Sequence, residues 1–248
     1  MSGQDRSVSI VIATRNVADK IENCILSALA QTHSEVEIVV VDGCSNDGTV
    51  ELLQKYSDRV RWVSESDGGV NEAQWKGALR ATGDWVLFLG ADDYLASPQA
   101  LERLFRACPA DLSGYDILTG HALYEDGRLY RSDRLHFIRL KNCLHGQGAL
   151  YRRGLFDQKK YDLSLRIYYD YEFNLWALSS GKRVWNTSVL LSVLGCGGLS
   201  DRPRWRNYIE DMRVRARYVR GLTLYAANLF AAMRYARKAV RFYLTRER

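Results

Sequence analysis

The chain has 248 residues, 47% apolar and 26% charged, with a formal net charge of +6. That balance excludes an overall disordered chain and fits one sizeable core, with or without an appendage. Five cysteines, Cys24, Cys44, Cys108, Cys143 and Cys196, are odd in number, scattered and free of any C-x-x-C pair, which argues against a disulfide framework or a thiolate zinc site and for a reducing cytoplasm.

Taken from the N-terminus, the polar opening residues run straight into "SVSIVIAT" without the charged region, apolar region and cleavage site of a secretory signal. The first half then alternates short apolar runs with helix-like segments. "SIVIAT" precedes a helix over 17–31, "EIVVVD" one over 47–56, "VRWVS" one over 70–81, and "DWVLFLG" one over 97–107. Repeated βα of this kind predicts a parallel sheet flanked by helices, its Val- and Ile-rich strands covered on both faces. Right-handed crossovers place the loops after the strands along one edge, where open sheets bind ligands. Those loops read "TRN" (14–16), "VDGCSNDGT" (41–49), "ESDGG" (65–69) and "GADD" (90–93). Any one of them is accounted for by capping and turn chemistry, as with Asp47-Gly48-Thr49 at a helix start. Four consecutive polar strand ends are less easily explained that way.

The second half changes character. "HALYEDGRLYR" (121–131) predicts a hairpin turning at Asp126-Gly127. There follow "HGQGALYRR" (145–153), a helix over "YYDYEFNLWALSSG" closed by Gly181, and a β-like run "KRVWNTSVLLSVL" (182–194). With three prolines and no Ser/Gly-rich linker or repeat, one continuous domain over 1–203, split into halves at 7–110 and 111–203, and a helical tail over 204–248 are expected.

Asp92 and Asp93 end a run suited to burial. Two unpaired carboxylates that close repel each other unless a cation keeps them ionised, and a hard divalent ion such as Mg²⁺ or Mn²⁺, completed by phosphate oxygens and water, suits them. A helix N-cap before 97–107 is the plain structural alternative.

The succession "SIVIATRN", "IVVVDGCSNDGT", "SESDGGVNEAQWKGALRATGDWVLFLGADD", "HGQGALYRRGLF" and "YYDYEF" resembles glycosyltransferase family 2, the inverting sugar transferases of GT-A fold that assemble polysaccharides such as capsule and O-antigen. The resemblance spans about residues 7–198 in unbroken order. It implies an α/β GT-A fold, a mostly parallel central sheet with a Rossmann-like nucleotide half and an acceptor half, followed by the basic helical tail. It also implies that Thr14, Asn16 and Asp42 hold the nucleobase and ribose of a nucleoside-diphosphate sugar, and that Asp67 and Lys76 line the same side. By the same likeness Asp92 and Asp93 match the DxD-type motif that seats a divalent metal on the diphosphate, and Asp170 matches the catalytic base, with Glu172 beside it.

His145 and Gln147 match an acceptor-side segment of such enzymes, and "GCGGLSDR" (195–202) could close over the diphosphate with backbone N–H groups and Arg202. Each has a plainer reading: Asp170 as an acid in a helix's first turn, His145 as a satisfied histidine, the glycine-rich loop as a turn. Three departures from the family pattern stand out. Ala13 replaces a common Pro, Trp75 replaces a usual Asn and is expected beside the nucleotide region, and Gly90 replaces the first Asp of a D-x-D-D run, lowering the carboxylate count.

Residues 204–248 carry 12 Arg or Lys against 3 acids, leaving the rest slightly acidic. If 207–244 is one helix, Tyr218, Leu222, Tyr225, Leu229, Met233, Ala236, Val240 and Tyr243 form an apolar stripe, with Arg234, Arg237, Lys238 and Arg241 toward another face. Such a helix can pack on the body, lie on an anionic membrane surface or pair with a second subunit. Its longest mostly apolar run, 221–233, has 13 residues, short of the roughly 17–25 that span a bilayer, so at most a peripheral attachment to the inner face of the cytoplasmic membrane is expected. A lipid-linked glycan acceptor would give that attachment a purpose. Rival functions are a non-catalytic sugar-nucleotide binder and a nucleic-acid-binding module. The second is disfavoured because the basic charge is confined to the tail and the body shows no groove-reading or stacking motif, so no nucleic acid is expected as partner.

Overall fold

Strand β1 (Val8–Thr14) is buried along its whole length, the position its two-faced apolar sequence calls for. The computed structural model describes residues 6–132, 134–196 and 204–244. In it β1 runs parallel between β2 (Val36–Asp42) and β4 (Trp85–Gly90), and β3 (Arg61–Ser64) pairs parallel with β2. The register sets Thr14 level with Asp42, Asp42 level with Ser64, and Ala13 level with Gly90. The four C-terminal ends therefore share one edge, as the βα alternation predicts. Helices α1 (Ile21–Leu29), α2 (Thr49–Lys55) and α3 (Val70–Arg80) make the crossovers. α3 comes so close to the sheet that a Cβ at Gly77 would lie 2.3 Å from Val11 Cγ1.

Beyond β4 the sheet becomes mixed. After the short β5 (Tyr94–Leu95) and α4 (Ala100–Arg106), the predicted hairpin forms from β6 (Ile117–Tyr124) and β7 (Leu129–Tyr130), with Gly127 at φ +84° in its turn. β8 (Ala149–Arg152) is antiparallel to both β4 and β6 and joins the two halves, and β9 (Val184–Leu194) runs parallel to β6 and antiparallel to β5. The strand order is β3-β2-β1-β4-β8-β6-β9-β5, with β7 on β6.

Period-2 alternation in β4 feeds a core on each face. Trp85, Leu87 and Leu89 join Val8, Ile10 and Ile12 under α1 and α4. Val86 and Phe88 join the opposite cluster with α5 (Leu155–Gln158) and α6 (Tyr169–Ser179). That cluster is aromatic: Phe156 stacks on Phe173 with ring centroids 5.1 Å apart, and Phe88, Tyr151 and Tyr161 surround them. Such pairs add about 0.5–1.5 kcal/mol each beyond their area, so α6 is firmly anchored.

The tail departs from the single helix read over 207–244. It breaks into α7 (Trp205–Tyr218) and α8 (Gly221–Leu244), with Gly221 at φ +63°, a conformation that only glycine adopts readily. α7 packs on the body, and its Val214 is fully buried in the aromatic cluster. α8 lies on α7 through Ala227 and Ala231, both fully buried. Its apolar stripe faces solvent instead: Leu222 is 87% exposed and Tyr225 75%, and Leu229, Met233 and Val240 are also exposed. Arg241 and Tyr243 lie outside the described side chains. Among the described residues no helix is long and apolar enough to cross a membrane.

Candidate active site

Two carboxylate centres lie on the sheet's C-terminal edge and on α6, and one short segment touches both. At the end of β4, Asp93 is buried, and its two oxygens accept the N–H groups of Gly90 (2.8 Å) and Gly195 (3.1 Å). Burial, then the charge of Asp92, pushes the Asp93 carboxyl up to about 7, tempered by those N–H groups and by the Gln147 side chain. Asp92 is half-buried, with its oxygens close against Gly90 and Gly195. Asp93 thus fixes the turn, and no hydrogen bond to the Asp92 carboxylate is formed among the described residues.

Gly90, read above as a lost carboxylate, has a steric cause. A Cβ there would stand 2.8 Å from Asp93 Oδ2 and 3.0 Å from Asp92 Oδ1, so any side chain would split the pair. Gly195 is constrained likewise, 2.8 Å from Asp92 Oδ2. It gives its N–H to Asp93, and the remainder of the 195–202 loop that follows Cys196, Arg202 included, lies outside the described residues. Among the described residues no group of three or more metal-ligating side chains occurs. The all-oxygen pair still fits a hard divalent ion that keeps water and substrate phosphate in its shell, because such an ion needs only one or two carboxylates. A buried carboxyl raised by a like charge is also the kind of group a cation would return to its ionised form.

On the C-terminal edge of β1–β3 the loops are cross-linked to one another. Asp42 is fully buried and spends its carboxylate on Ser45 N–H (2.9 Å), Ser64 Oγ (2.6 Å) and the Ser45 hydroxyl. It therefore shapes the 43–46 loop in place of reaching outward. Asn16, exposed and at φ +52°, donates its N–H to Ser45 Oγ and accepts from Asn46 N–H. The Thr14 hydroxyl is buried without a hydrogen-bond partner. Asp67 accepts from Gly69 N–H (2.9 Å) and closes on Gly43, where a Cβ would be 2.7 Å from its Oδ2. The Lys76 ammonium donates to Ser66 O (2.9 Å) and pairs with Glu72 (3.3 Å) and Glu65 (3.5 Å), so its charge is matched by the protein. Asp47 caps the start of α2 through Thr49. Trp75 is not beside the nucleotide edge: it packs against the aromatic cluster, with Lys160 Nζ 4.2 Å over its ring.

Asp170 opens α6, half-buried, its Oδ2 accepting Asn142 Nδ2 (3.0 Å) and its Oδ1 accepting Tyr171 N–H (2.7 Å). Tyr130, Tyr151, Tyr161 and Tyr169 all feel its charge. Burial in that aromatic setting raises its carboxyl to about 7, held from going higher by the two N–H donors. Asn142 is itself fixed, accepting from Leu144 N–H (3.1 Å) and Asn174 Nδ2 (3.3 Å). Five residues on, the Gln147 side chain comes close enough to Asp93 to lower its carboxyl. Five extended residues reach at most about 17 Å, so the two centres belong to one region of the molecule.

His145, between them, is packed edge-on to Tyr130 and Tyr124 and pulled down to about 4 by burial, which keeps it neutral at pH 7. Glu172, two residues on, is 1% exposed and meets Lys159 at 3.1 Å and the Tyr218 hydroxyl, tying α6 to α7.

Two contributors escaped the sequence reading. Asn142 has no motif around it, and its partner is 28 residues away. Glu210, on α7, accepts the N–H groups of Arg166, Ile167 and Tyr168 at 2.8–3.1 Å, fixing the turn into α6 from a tail read as an appendage. The only available signal was an acid in an otherwise basic stretch.

The model of the family described as "Glycosyl transferase family 2" matches residues 9–168. A Mycobacterium bovis protein named as a PGL/p-HBAD biosynthesis glycosyltransferase is 35% identical over 204 residues, 78% of each chain. A putative teichuronic acid biosynthesis glycosyltransferase of Bacillus subtilis, TuaG, is 31% identical over 56% of this chain and 59% of its own. Among solved structures, the mannosyltransferase PcManGT of Pyrobaculum calidifontis, in complex with GDP-Man and Mn²⁺, superposes with a TM-score of 0.69 at 18% identity, covering 94% of this chain and 74% of that one. S. aureus TarS in complex with UDP gives 0.67 at 21% identity over 86% of this chain and 65% of that structure.

Proposed function

The chain belongs to glycosyl transferase family 2, and from that membership we propose that this glycosyltransferase inverts the anomeric centre of a sugar while moving it from a nucleoside diphosphate to a hydroxyl of a lipid-linked glycan in cell-surface polysaccharide or glycolipid assembly. The observation that supports the reading is the segment 142–148, whose Asn142 donates to Asp170 and whose Gln147 side chain comes close enough to Asp93 to lower its carboxyl. The nucleotide would lie along the strand-end loops, with Thr14, Asn16 and Asp67 toward it and Asp42 and Lys76 organising their surroundings. Asp92 and Asp93 would hold a Mn²⁺ or Mg²⁺ ion, which when bound supplies charge neutralisation to the departing diphosphate. Asp170, ionised, takes the acceptor hydroxyl's proton as that oxygen attacks C1 and the bond from C1 to the diphosphate oxygen breaks. An acid whose pKa is about 7 is well matched to this work near neutral pH. Neutral His145 and Gln147 line the path between the centres.

The relatives' names support glycolipid and wall-polymer acceptors, and the solvent-facing stripe of α8 supports peripheral attachment to the inner face of the cytoplasmic membrane. The test is a panel of UDP-, GDP- and dTDP-sugars with and without Mn²⁺, read by thermal shift and by transfer. A donor-dependent rise in melting temperature with transfer lost in Asp170→Asn is expected. Donor binding with no transfer by the wild type would leave a sugar-nucleotide binder, and a flat response to every donor would remove the reading altogether.

A further inference from the structure

The turn over 164–167 and the first three turns of α7 enclose a cavity of about 380 Å³ that donor binding and proton transfer leave unused. Five arginines line it, Arg166, Arg204, Arg206, Arg213 and Arg217, all of them exposed. Arg217 is matched by Asp162 at 2.7 Å. The other four have no acidic partner among the described residues. Glu210, the single acid of the lining, already accepts three backbone N–H groups from the opposite wall. Like charges gathered around a concavity repel one another, and the repulsion is relieved when an anion enters.

Arginine in particular presents a planar fork that meets phosphate oxygens two at a time. The walls are tied to each other by Glu210, so the arginines are carried around one preformed concavity. Its position gives the ligand a side. Arg166 lies four residues before Asp170, the carboxylate assigned to the acceptor hydroxyl, whereas the donor's diphosphate belongs to Asp92 and Asp93 at the far end of the 142–148 segment. Trp205, between Arg204 and Arg206, is 44% exposed and stacks on Tyr208 beside α8, apolar surface suited to whatever chain the phosphate carries.

We infer that this cavity is a phosphoanion subsite on the acceptor side, taking the phosphate or diphosphate through which the acceptor is tethered to its carrier. The assignment to the acceptor rests on the transferase reading; the anion chemistry rests on the arginines alone. The test is calorimetric titration of the full chain, in EDTA so that a metal-held diphosphate at the donor site does not contribute, with inorganic diphosphate and with farnesyl diphosphate in detergent. Saturable one-site binding is expected, weakened at least about tenfold in the triple variant Arg204→Gln, Arg206→Gln, Arg213→Gln, while the thermal shift of that variant with UDP-sugar and Mn²⁺ stays as in the wild type. Tighter binding of the farnesyl compound assigns the subsite to a lipid-borne phosphate; equal affinity assigns it to a soluble one. Absence of binding, or binding equal in wild type and variant, overturns the proposal. A wild type blind to every nucleotide sugar but titrating diphosphate through these arginines would remove the transferase reading and leave the subsite. Should the triple variant not fold, the single Arg206→Gln decides, with about threefold weakening expected.

Discussion

A base for the proposed transfer has to be ionised at the working pH yet basic enough to take a hydroxyl proton, and Asp170, the residue proposed for that part, is held between those demands by burial on one side and two N–H donors on the other. Because only the ionised form accepts a proton, transfer should fall as pH drops below about 7, approaching tenfold per unit, and level off above it. The pH profile of kcat/KM checks this. Asp170→Asn should lower kcat by about 10²–10⁴-fold and leave the donor's Kd within about twofold, since the side chain lies on the acceptor side of the transfer. Asn142→Leu removes a donor that favours the charged form, so its acid limb should move to higher pH, a shift that loss of packing alone would not produce. Gly90→Ala introduces a methyl 2.8 Å from Asp93 Oδ2. It should raise the Mn²⁺ concentration for half-maximal activity with little loss of fold, because the residue needs no positive φ and only the pair's spacing is disturbed.

At the level of elements, α6 carries Asp170, the proposed base, and α7 braces the turn that leads into α6. Asp211 and Arg215 of α7 are fully buried 2.5 Å apart, and Arg234 and Asn228 of α8 complete the network. Removing one member strands a charge, so Asp211→Ala should cost about 3–5 kcal/mol, read by urea denaturation. The paired change Asp211→Leu with Arg215→Met should cost much less, because the two buried charges leave together and the Arg234 left without Asp211 is partly exposed to water. Glu210→Gln keeps the shape but weakens charge-assisted bonds to three N–H groups, and should lower kcat more than it raises KM if its part is to position Asp170.

This is also where sequence stopped being sufficient. Strands β1, β2 and β4 were legible because burial on both faces leaves unbroken apolar runs, whereas β3, RWVS, has no fully buried residue and was read from the βα alternation around it; Asp92, Asp93 and Asp170 were singled out because they belong to an ordered set of motifs. Asn142 and Glu210 act on α6 through contacts that no local pattern encodes. The tie that Glu172 makes to Lys159 and Tyr218 was not legible either, because sequence adjacency to Asp170 hides a turn of about 200° between residues two apart on a helix. The tail read as one helix because its apolar spacing runs on through Gly221, whose positive φ is a backbone property that periodicity does not see.

For the whole molecule, the placement of α7 changes what the tail can be asked to do. Deleting 207–248 would remove Val214 from the aromatic core, the Asp211–Arg215 pair and the Glu210 cap together, so a loss of membrane binding in that truncation would report unfolding as readily as docking. α8 is a cleaner probe. It has no acidic residue from Gly221 to Leu244, carries Arg234, Arg237, Lys238 and Arg241, and turns Leu222, Tyr225, Leu229 and Met233 to solvent while small residues face α7. An apolar stripe on a wholly basic helix gains twice at an anionic bilayer, by burying area and by charge attraction that salt screens within about 8–10 Å. The variant Leu222→Ser, Tyr225→Ser, Leu229→Ser, Met233→Ser should keep the wild-type melting temperature within about 3 °C, since exposed positions contribute little to stability. It should also lose at least about tenfold in partition onto phosphatidylglycerol vesicles, given roughly 25 cal/mol per Å² of apolar area withdrawn from water. Wild-type binding should weaken as salt rises and be slight on neutral vesicles. If the variant and the wild type sediment equally with anionic vesicles, α8 does not dock on lipid, and a concentration-dependent mass in solution would turn the same stripe into a contact with a second copy.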